Sequence, residues 1–367
     1  MSFYHVYQEL KGLDLEGFLD SVTNKDVLRV LHKDVLNKED FLKLLSPAAG
    51  ENLEDLAQKA HRVTAQYFGK TIQLFDPIYI SDYCVNHCTY CSFSVTNQFK
   101  RQQLTMEEIE REAKKIAGTG IKHVLILTGE SRRHSSMSYM KDTVAVLRKY
   151  FESISIEINP LETEEYKELK EVGVDGVTVY QEVYNEDIYQ DFHVKGPKRY
   201  YRYRLDTPER GCVAGFRSVN IGALLGLDNW RKEVFFTGMH ADYLQTKYIG
   251  TEIGVSLPRI RPNLGSFSPR SKVNDKSFVQ SLMALRLFLP RSAITLSTRE
   301  SPDLRDHLIP LGVTRMSAGA STEVGGYSLE VEGTNQFEIS DKRSVKDICK
   351  ALYEKDYQPV FKDWNQL

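Results

Sequence analysis

The spacing of apolar residues changes near residue 75. Before that point, apolar residues recur at the three- and four-residue intervals of amphipathic helices, as at Leu53, Leu56, Ala60 and Val63. Further along the chain, short apolar runs of strand length alternate with helical segments. The pattern predicts an N-terminal helical extension over residues 1–75, followed by parallel strands with helical crossovers.

Eight apolar runs of strand length can be counted after this change. They are Ile78–Ser81, His123–Thr128, Ile154–Asn159, Gly176–Glu182, Val219–Leu225, Glu252–Pro258, Ile294–Thr298 and Val313–Ser317. Helix caps lie between them, such as Thr105 with Glu108. The predicted fold class is therefore α/β, a closed (β/α)8 barrel of the TIM type over residues 76–317. Residues 318–367 are expected to cap the mouth of this barrel.

The length, composition and net charge of the chain exclude some classes of binding partner. The chain has 367 residues, of which 41% are hydrophobic and 27% charged, as in ordinary globular proteins. Its formal charge of −2 argues against nucleic-acid and anionic membrane partners. The first residues lack the regions of a signal peptide, and no apolar run is long enough to span a bilayer. We therefore expect a cytoplasmic protein.

Three cysteines follow the first predicted strand closely. Cys84, Cys88 and Cys91 form a CxxxCxxC pattern, and Tyr90 precedes the last of them. Three thiolates on one loop can ligate three irons of a [4Fe-4S] cluster and leave the fourth iron open. A zinc site would need a fourth ligand, for which His87 is badly placed. A disulfide is the weaker alternative, because the total of five cysteines is odd.

This loop resembles the radical S-adenosylmethionine (SAM) superfamily. The resemblance implies that SAM completes the open iron, and that an electron passed to its sulfonium yields a 5′-deoxyadenosyl radical. The expected cofactors are therefore a [4Fe-4S] cluster and SAM, and the three cysteines are the expected catalytic and cluster-binding residues.

Other segments resemble SAM-binding motifs of the same superfamily. Thr128–Glu130 looks like the GGE motif that holds the SAM ammonium, and Gly222–Gly226 looks like the strand along which the adenine lies. Glu157 could accept the ribose hydroxyls, with a salt bridge to a neighbouring strand as the alternative. Arg204 is a candidate partner of the SAM carboxylate. The expected SAM-binding residues are Tyr90, Thr128, Gly129, Glu130, Glu157, Arg204, Gly222 and Leu224.

The later strand ends carry polar side chains suited to a substrate. Ser256 and Arg259 follow the sixth run, and Arg299 follows the seventh. An arginine binds a carboxylate through two parallel hydrogen bonds, so Arg299 is the expected anchor of an amino acid substrate. The alternative for Arg299 is an ion pair at the barrel rim with Glu300.

Five longer segments are together similar to the aromatic amino acid lyases of the radical SAM group, and especially to the tyrosine lyases of thiamine biosynthesis. They are Val179–Glu182, Gly196–Lys198, Ile221–Leu227, Leu296–Glu300 and Gln358–Trp364. The resemblance implies removal of a hydrogen from the amino group of L-tyrosine and cleavage of its Cα–Cβ bond, which gives p-cresol and 2-iminoacetate (dehydroglycine). It also implies that Gln181 faces the substrate. Ser92 and Val183–Asn185 depart from the common glycine and Thr-Tyr-His, so a histidine is missing at the second position.

Several alternatives remain. A truncated tyrosine-cleaving [FeFe]-hydrogenase maturase would look much the same, although the full maturase needs further cysteines in a C-terminal extension. Tryptophan lyase and biotin synthase share parts of the pattern. A non-catalytic metal carrier would leave the motifs at 128–130 and 222–226 unexplained. The expected partners are L-tyrosine, a flavodoxin- or ferredoxin-type electron donor and, because a free imine is labile in water, thiazole synthase.

Overall fold

The computed structural model describes residues 2–265, 267–330 and 333–362. Within these ranges, eight parallel strands form a closed barrel, which confirms the predicted (β/α)8 fold. The barrel strands β1 to β8 are Thr71–Ser81, His123–Thr128, Ser153–Glu157, Gly176–Glu182, Ser218–Ala223, Glu252–Ser256, Ala293–Leu296 and Arg315–Ser317. Each pairs with its neighbour in chain order, and β8 returns to β1 through the pairs Gln73–Arg315, Leu74–Met316 and Phe75–Ser317. This last pairing closes the barrel.

The first strand is longer than its apolar run suggested. It begins at Thr71 rather than Ile78, and its first residues pair on their outer side with the short strand Gln358–Val360. Asp76 interrupts the apolar pattern, yet it is buried in the strand and accepts a hydrogen bond from the Tyr327 hydroxyl at 2.7 Å. Because a buried polar residue with a hydrogen-bond partner can lie inside a strand, the apolar pattern alone identified only the second half of β1.

Helices fill every connection between consecutive barrel strands. The described α-helices α1 to α16 are Phe3–Lys11, Leu15–Ser21, Asn24–Leu31, Lys38–Leu44, Pro47–Glu51, Leu53–Phe68, Met106–Ala117, Met137–Leu147, Thr163–Val172, Tyr189–Phe192, Tyr201–Leu205, Thr207–Ala214, Trp230–Lys247, Asp275–Phe288, Pro302–Leu308 and Val345–Tyr353. Short 3-10 helices span Glu186–Ile188, Pro197–Arg199 and Ile309–Leu311. No helix of the described ranges is both long and apolar enough to cross a membrane. The capping box of Thr105 and Glu108 begins α7 as predicted.

The helices before β1 pack on the outside of the barrel. Phe41 of α4 stacks on Phe288 of α14, with ring centroids 4.4 Å apart. Gln280 of α14 donates hydrogen bonds from its side-chain amide to the carbonyl oxygens of Leu44 and Ser46, both at 2.9 Å. Both contacts are buried, so this helical layer shares its core with the barrel helices.

The approach of α4 to α13 depends on Gly238. A Cβ atom there would lie 2.4 Å from Cε1 of the fully buried Phe41 ring. We expect Gly238→Ala to lower stability by about 1–3 kcal/mol, because the packed ring must move, although alanine intrinsically favours a helix by about 1 kcal/mol. Thermal unfolding measures the effect. Gly12→Ala, whose Cβ would have nothing within 4 Å, is the control, and equal melting temperatures would contradict the prediction.

Candidate active site

The cysteine loop leaves the C-terminal end of β1 and is fastened on several sides. Its residues His87–Cys88 pair antiparallel with the short strand His193–Lys195. The backbone N–H of Val85 donates to the carbonyl of Glu130 at 3.1 Å. Arg101 donates to four carbonyl oxygens of residues 82–97. The loop is therefore held in place by strand pairing, a backbone hydrogen bond and the Arg101 side chain, and not by the cysteines alone.

The three thiols of this loop are near enough to interact electrostatically with one another. All five cysteines of the chain are free thiols, so the disulfide alternative is wrong. Burial raises the pKa of the Cys91 thiol to about 11, and the neighbouring Cys84 raises it too. Burial likewise raises the pKa of Cys88, to which Cys84 and Cys91 add. Three thiolates in a buried loop repel one another unless positive charge lies between them. The irons of a [4Fe-4S] cluster would provide that positive charge.

No three His, Cys, Asp or Glu side chains of the described ranges converge as ligands of a single metal ion would.

Four charged side chains form a buried network beside the loop. Arg204 donates from Nη1 to Oε1 of Glu130 at 2.8 Å, and Lys198 donates from Nζ to Oε1 of Glu182 at 2.7 Å. Lys198 also lies 3.9 Å from Glu130, whose other oxygen accepts from Asn86 at 2.7 Å. Burial opposes ionisation of Glu130, but Arg204 and Lys198 outweigh it and lower its pKa. The network is therefore charged and nearly balanced.

The network joins two of the predicted SAM-binding residues directly, since Glu130 and Arg204 contact each other. Gly129, which precedes this carboxylate, donates its backbone N–H to the Ser81 carbonyl at 2.7 Å and so lies against the end of β1. The hydroxyl of Thr128 is buried without a hydrogen-bond partner among the described residues. Gly222 lies in β5, where a Cβ would meet the Ser256 carbonyl at 1.8 Å, so only glycine permits this approach of the strands.

A cavity opens at the C-terminal end of the barrel, where the cysteine loop lies. Six of the predicted site residues line it: Tyr90, Cys91, Glu157, Leu224, Ser256 and Arg299. The Tyr90 hydroxyl lies 2.8 Å from Nε2 of His193, whose Nδ1 lies 2.8 Å from the Tyr189 carbonyl. Burial lowers the pKa of His193, so the ring is neutral. Its Nδ1–H then donates to the carbonyl, and Nε2 accepts from Tyr90.

Arg299 has no carboxylate partner within ion-pair distance among the described residues. Its guanidinium stacks on the Phe337 ring, 3.3 Å from the centroid, and Nη1 donates to the Arg259 carbonyl at 3.4 Å. Burial lowers the pKa of Arg299 below its usual value. The alternative pairing with Glu300 is wrong, because Glu300 binds Arg259 and, at 2.8 Å, Arg261. Arg299 on the cavity wall is therefore able to bind an anionic group.

Two predicted substrate residues lie elsewhere. Arg259 is engaged by Glu300 on one side and by Asp275, at 2.8 Å, on the other, so its charge is already neutralised. Gln181 sits at a bulge where the register of β4 with β5 shifts between Tyr180 and Glu182. The bulge places Tyr180 and Glu182 on the cavity wall, and Gln181 is absent from that wall. The substrate roles of Arg259 and Gln181 therefore stay predictions, which the cavity wall does not support.

Glu182 and Lys198 join the site although the sequence analysis gave them no role. Glu182 has a left-handed backbone with φ of 72°, which a non-glycine residue adopts at some energetic cost. Both residues belong to segments that carry the family resemblance, Val179–Glu182 and Gly196–Lys198. Only that resemblance could have identified Glu182 and Lys198 from the sequence, because neither residue belongs to a motif defined by residue spacing.

The two departures from the common family pattern lie away from the cavity. Ser92 is fully buried, and its hydroxyl accepts a hydrogen bond from the Leu264 N–H at 3.0 Å. The Tyr184 hydroxyl lies 3.0 Å from Nδ1 of His240 on α13, and Asn185 donates to Asp228 at 2.8 Å. None of these residues lines the cavity, so both departures are structural.

Glu157 supplies a pH-dependent test of the cavity. Burial, followed by the charge of Glu182, raises its pKa from 4.5 to about 7. A carboxyl whose folded pKa is raised stabilises the fold below its unfolded pKa and loses that contribution as the pH rises through about 7. We expect this loss to be up to about 3 kcal/mol between pH 4.5 and 8, and to be missing in Glu157→Gln. Melting temperatures of the cluster-free protein across this range measure it, and parallel curves for the two proteins would refute it.

The barrel and the three-cysteine loop define a radical SAM protein. A family model described as the Radical SAM superfamily matches residues 78–236, and one described as the Biotin and Thiamin Synthesis associated domain matches residues 256–358. The 2-iminoacetate synthases of Salmonella typhimurium and Escherichia coli are each 40% identical to the chain over 365 residues. Each alignment covers 99% of this chain and 97% of the relative. The chain therefore belongs to the 2-iminoacetate synthase family of radical SAM enzymes. Its cofactors are accordingly a [4Fe-4S] cluster and SAM, as predicted.

A solved structure shows the same architecture. The crystal structure of HydG, a maturase of the [FeFe]-hydrogenase, superposes with a TM-score of 0.90 at 32% identity. The match covers 95% of this chain and 79% of that one.

Proposed function

We propose that the chain catalyses the reaction for which its relatives are named, the formation of 2-iminoacetate. The substrate is L-tyrosine, its Cα–Cβ bond is cleaved, and the second product is p-cresol. The identity of 40% with the 2-iminoacetate synthases supports the reaction. The observation that carries the proposal is the unpaired Arg299 at the wall of a cavity that Cys91 also lines. An amino acid held there by its carboxylate lies beside the cluster loop.

The residues of the loop and of the ionic network would hold the cofactors. Cys84, Cys88 and Cys91 would ligate the cluster through their thiolates. The pair Glu130 and Arg204 suits the amino acid end of SAM, which carries an ammonium and a carboxylate. Binding both groups together would leave the net charge of the ionic network unchanged. When bound, cluster and SAM supply a deoxyadenosyl radical that can remove one hydrogen atom.

The chain's own side chains would position the tyrosine and exclude water. Arg299 would bind the carboxylate in a bidentate pair, with its guanidinium plane fixed by Phe337. The phenol ring would extend into the barrel, where Phe75, Leu125 and Tyr180 form the cavity wall. A substrate held in one orientation presents its amino group, rather than its ring, to the radical. Exclusion of water protects the reactive species until the bond has broken.

The test is an anaerobic incubation of the reconstituted chain with a reductant, SAM and L-tyrosine. We expect 5′-deoxyadenosine, p-cresol and glyoxylate, which is the hydrolysis product of 2-iminoacetate, and none of them from Cys84→Ala. Cyanide and carbon monoxide would favour the maturase alternative. Product from L-tryptophan but not from L-tyrosine would favour a tryptophan lyase. Deoxyadenosine that no amino acid stimulates would overturn the substrate assignment.

We also propose that the chain works in a reducing compartment such as the cytoplasm, and that it delivers its product to thiazole synthase. The free thiols of the loop must stay reduced to hold a cluster, which supports the first point. Hydrolysis of an imine in water supports the second. Addition of purified thiazole synthase should reduce the glyoxylate formed per p-cresol, and an unchanged ratio would count against delivery.

A further inference from the structure

A second cavity lies inside the barrel, beneath the one that Arg299 and Cys91 line. Four residues line both cavities, so the two adjoin: Phe75, Leu125, Tyr180 and Thr295. The second cavity also reaches His123 and Arg315, which are the first residues of β2 and β8. It therefore extends toward the N-terminal ends of the strands, and we call it the lower cavity.

Polar side chains line most of the lower cavity. Apart from Val177, the residues that line it without also lining the upper cavity are all polar: His123, Ser155, Thr178, Ser218, Asn220 and Arg315. Between the two cavities, Phe75, Leu125 and Tyr180 present aromatic and aliphatic surface. Apolar walls above a polar floor are complementary to a phenol, whose ring is apolar and whose hydroxyl forms hydrogen bonds.

Two polar atoms on residues of the lower cavity have no hydrogen-bond partner among the described residues. They are Nδ1 of His123 and Oδ1 of Asn220. Both residues are buried, with exposed fractions of 6% and 9%. A buried polar atom without a partner destabilises the fold, so binding of a molecule that pairs with both atoms is favoured.

The protonation state of His123 makes these two atoms complementary to a single hydroxyl. Burial, followed by the charges of Arg315 and Arg217, lowers the pKa of His123 to about 3, so the ring is neutral. Its Nε2 lies 3.0 Å from the Ser155 hydroxyl. When Nε2 accepts from Ser155, Nδ1 carries the proton and can donate, whereas Oδ1 of Asn220 can only accept. A hydroxyl can accept from the first atom and donate to the second.

The lower cavity suits a neutral phenol rather than an anion. Arg315 donates from Nη2 to both carboxylate oxygens of Glu252, at 2.8 and 2.7 Å. The charge of Arg315 is therefore neutralised, and the neutral ring of His123 adds none. An anionic group would find no free positive charge among the described residues that line this cavity.

We propose that the lower cavity binds the hydroxyl of a para-hydroxyphenyl group, which accepts a hydrogen bond from Nδ1 of His123 and donates one to Oδ1 of Asn220. The inference rests on the proposed function, because Arg299 would hold the carboxylate at the other end of the same molecule. His123 and Asn220 then select tyrosine over phenylalanine and tryptophan. A site that hydrogen-bonds a substrate hydroxyl rejects the analogue without it by about 10⁴- to 10⁵-fold in kcat/KM, because its buried polar groups stay unpaired.

The test compares two ligands that differ only in the hydroxyl, L-tyrosine and L-phenylalanine. Each is titrated by calorimetry against the cluster-loaded chain with SAM and without a reductant, so that binding is measured in the absence of turnover. The same titrations are made with Asn220→Ala. Asn52→Ala makes the same change between α5 and α6, outside the barrel, and is the control. His123→Phe is a second variant, which keeps an aromatic ring beside Phe75 and removes both ring nitrogens.

We expect the unmodified chain and the control to bind L-tyrosine about tenfold or more tightly than L-phenylalanine. Asn220→Ala and His123→Phe should remove most of this difference by weakening the binding of tyrosine alone. Equal weakening of both ligands would show a merely structural role and overturn the proposal. Equal binding of both ligands by the unmodified chain would also overturn it, since a lower cavity that holds only water gives that result.

A second pair of ligands separates this inference from the proposed function. p-Cresol and toluene differ in the same hydroxyl but lack the amino acid end, so their binding does not depend on Arg299. If neither amino acid binds the unmodified chain, the proposed substrate is wrong. Tighter binding of p-cresol than of toluene, lost in Asn220→Ala, would then still support the phenol site, and equal binding would overturn it.

Discussion

Arg299→Gln is expected to abolish p-cresol formation while the cluster still forms. The guanidinium is the only cation of the described cavity wall that we assign to the substrate carboxylate, and its stacking on Phe337 fixes its orientation. Removal of one partner from a desolvated charge pair costs about 3–5 kcal/mol. The expected loss in kcat/KM for L-tyrosine is therefore about 10²- to 10⁴-fold. The measurement is p-cresol release, together with iron content and visible absorption of the reconstituted variant.

Arg261→Gln is the matched control for Arg299→Gln. Arg261 also lines the cavity, but it pairs with Glu300, which keeps a second partner in Arg259. We expect this variant to retain most of its activity. Arg299→Lys should recover part of the lost activity, because it restores the charge without the bidentate geometry. An unchanged KM and kcat in Arg299→Gln would remove Arg299 from the substrate site.

The barrel could be predicted because its strands are covered on both faces. Helices pack on the outside and side chains fill the inside, so parallel strands such as β2, His123–Thr128, are almost continuously apolar. The prediction was weakest where a buried polar residue had a distant partner. Asp76 broke the pattern of β1, and its partner Tyr327 lies 251 positions away in the sequence. Such pairing depends on the closed fold and leaves no local signal.

The parts of the site that consist of short, continuous motifs could be predicted from the sequence. The cysteine loop needs only the spacing of three residues on one segment, and Glu130 and Arg204 were both expected in the SAM site. The sequence favoured Arg299 as the carboxylate anchor, but it left open whether Glu300 pairs with Arg299. Arg259 and Arg299 both follow a barrel strand, and Glu300 is the sequence neighbour of Arg299. Only the packing of the loops after β6 and β7 assigns that carboxylate to Arg259.

Gly129→Ala is expected to prevent cluster assembly although residue 129 is not a predicted cluster ligand. An added Cβ would lie 2.5 Å from the Tyr83 carbonyl oxygen and 2.9 Å from that of Asp82. Both contacts are backbone atoms just before Cys84, so no side-chain rotation relieves them. Gly250→Ala, whose Cβ would have nothing within 4 Å, is the control. Iron and sulfide content after anaerobic reconstitution is the measurement, with circular dichroism to show that both variants are folded.

The expected effect of Gly129→Ala is large because the cysteine loop cannot move away as a unit. Strand pairing at His87–Cys88 and the four carbonyl contacts of Arg101 hold it on other sides. The displacement therefore falls on Cys84 and changes its position relative to Cys88 and Cys91. A cubane cluster has fixed metal–sulfur distances, so three ligands that no longer match it bind it poorly. If Gly129→Ala holds as much iron as Gly250→Ala, the loop is more compliant than its contacts indicate.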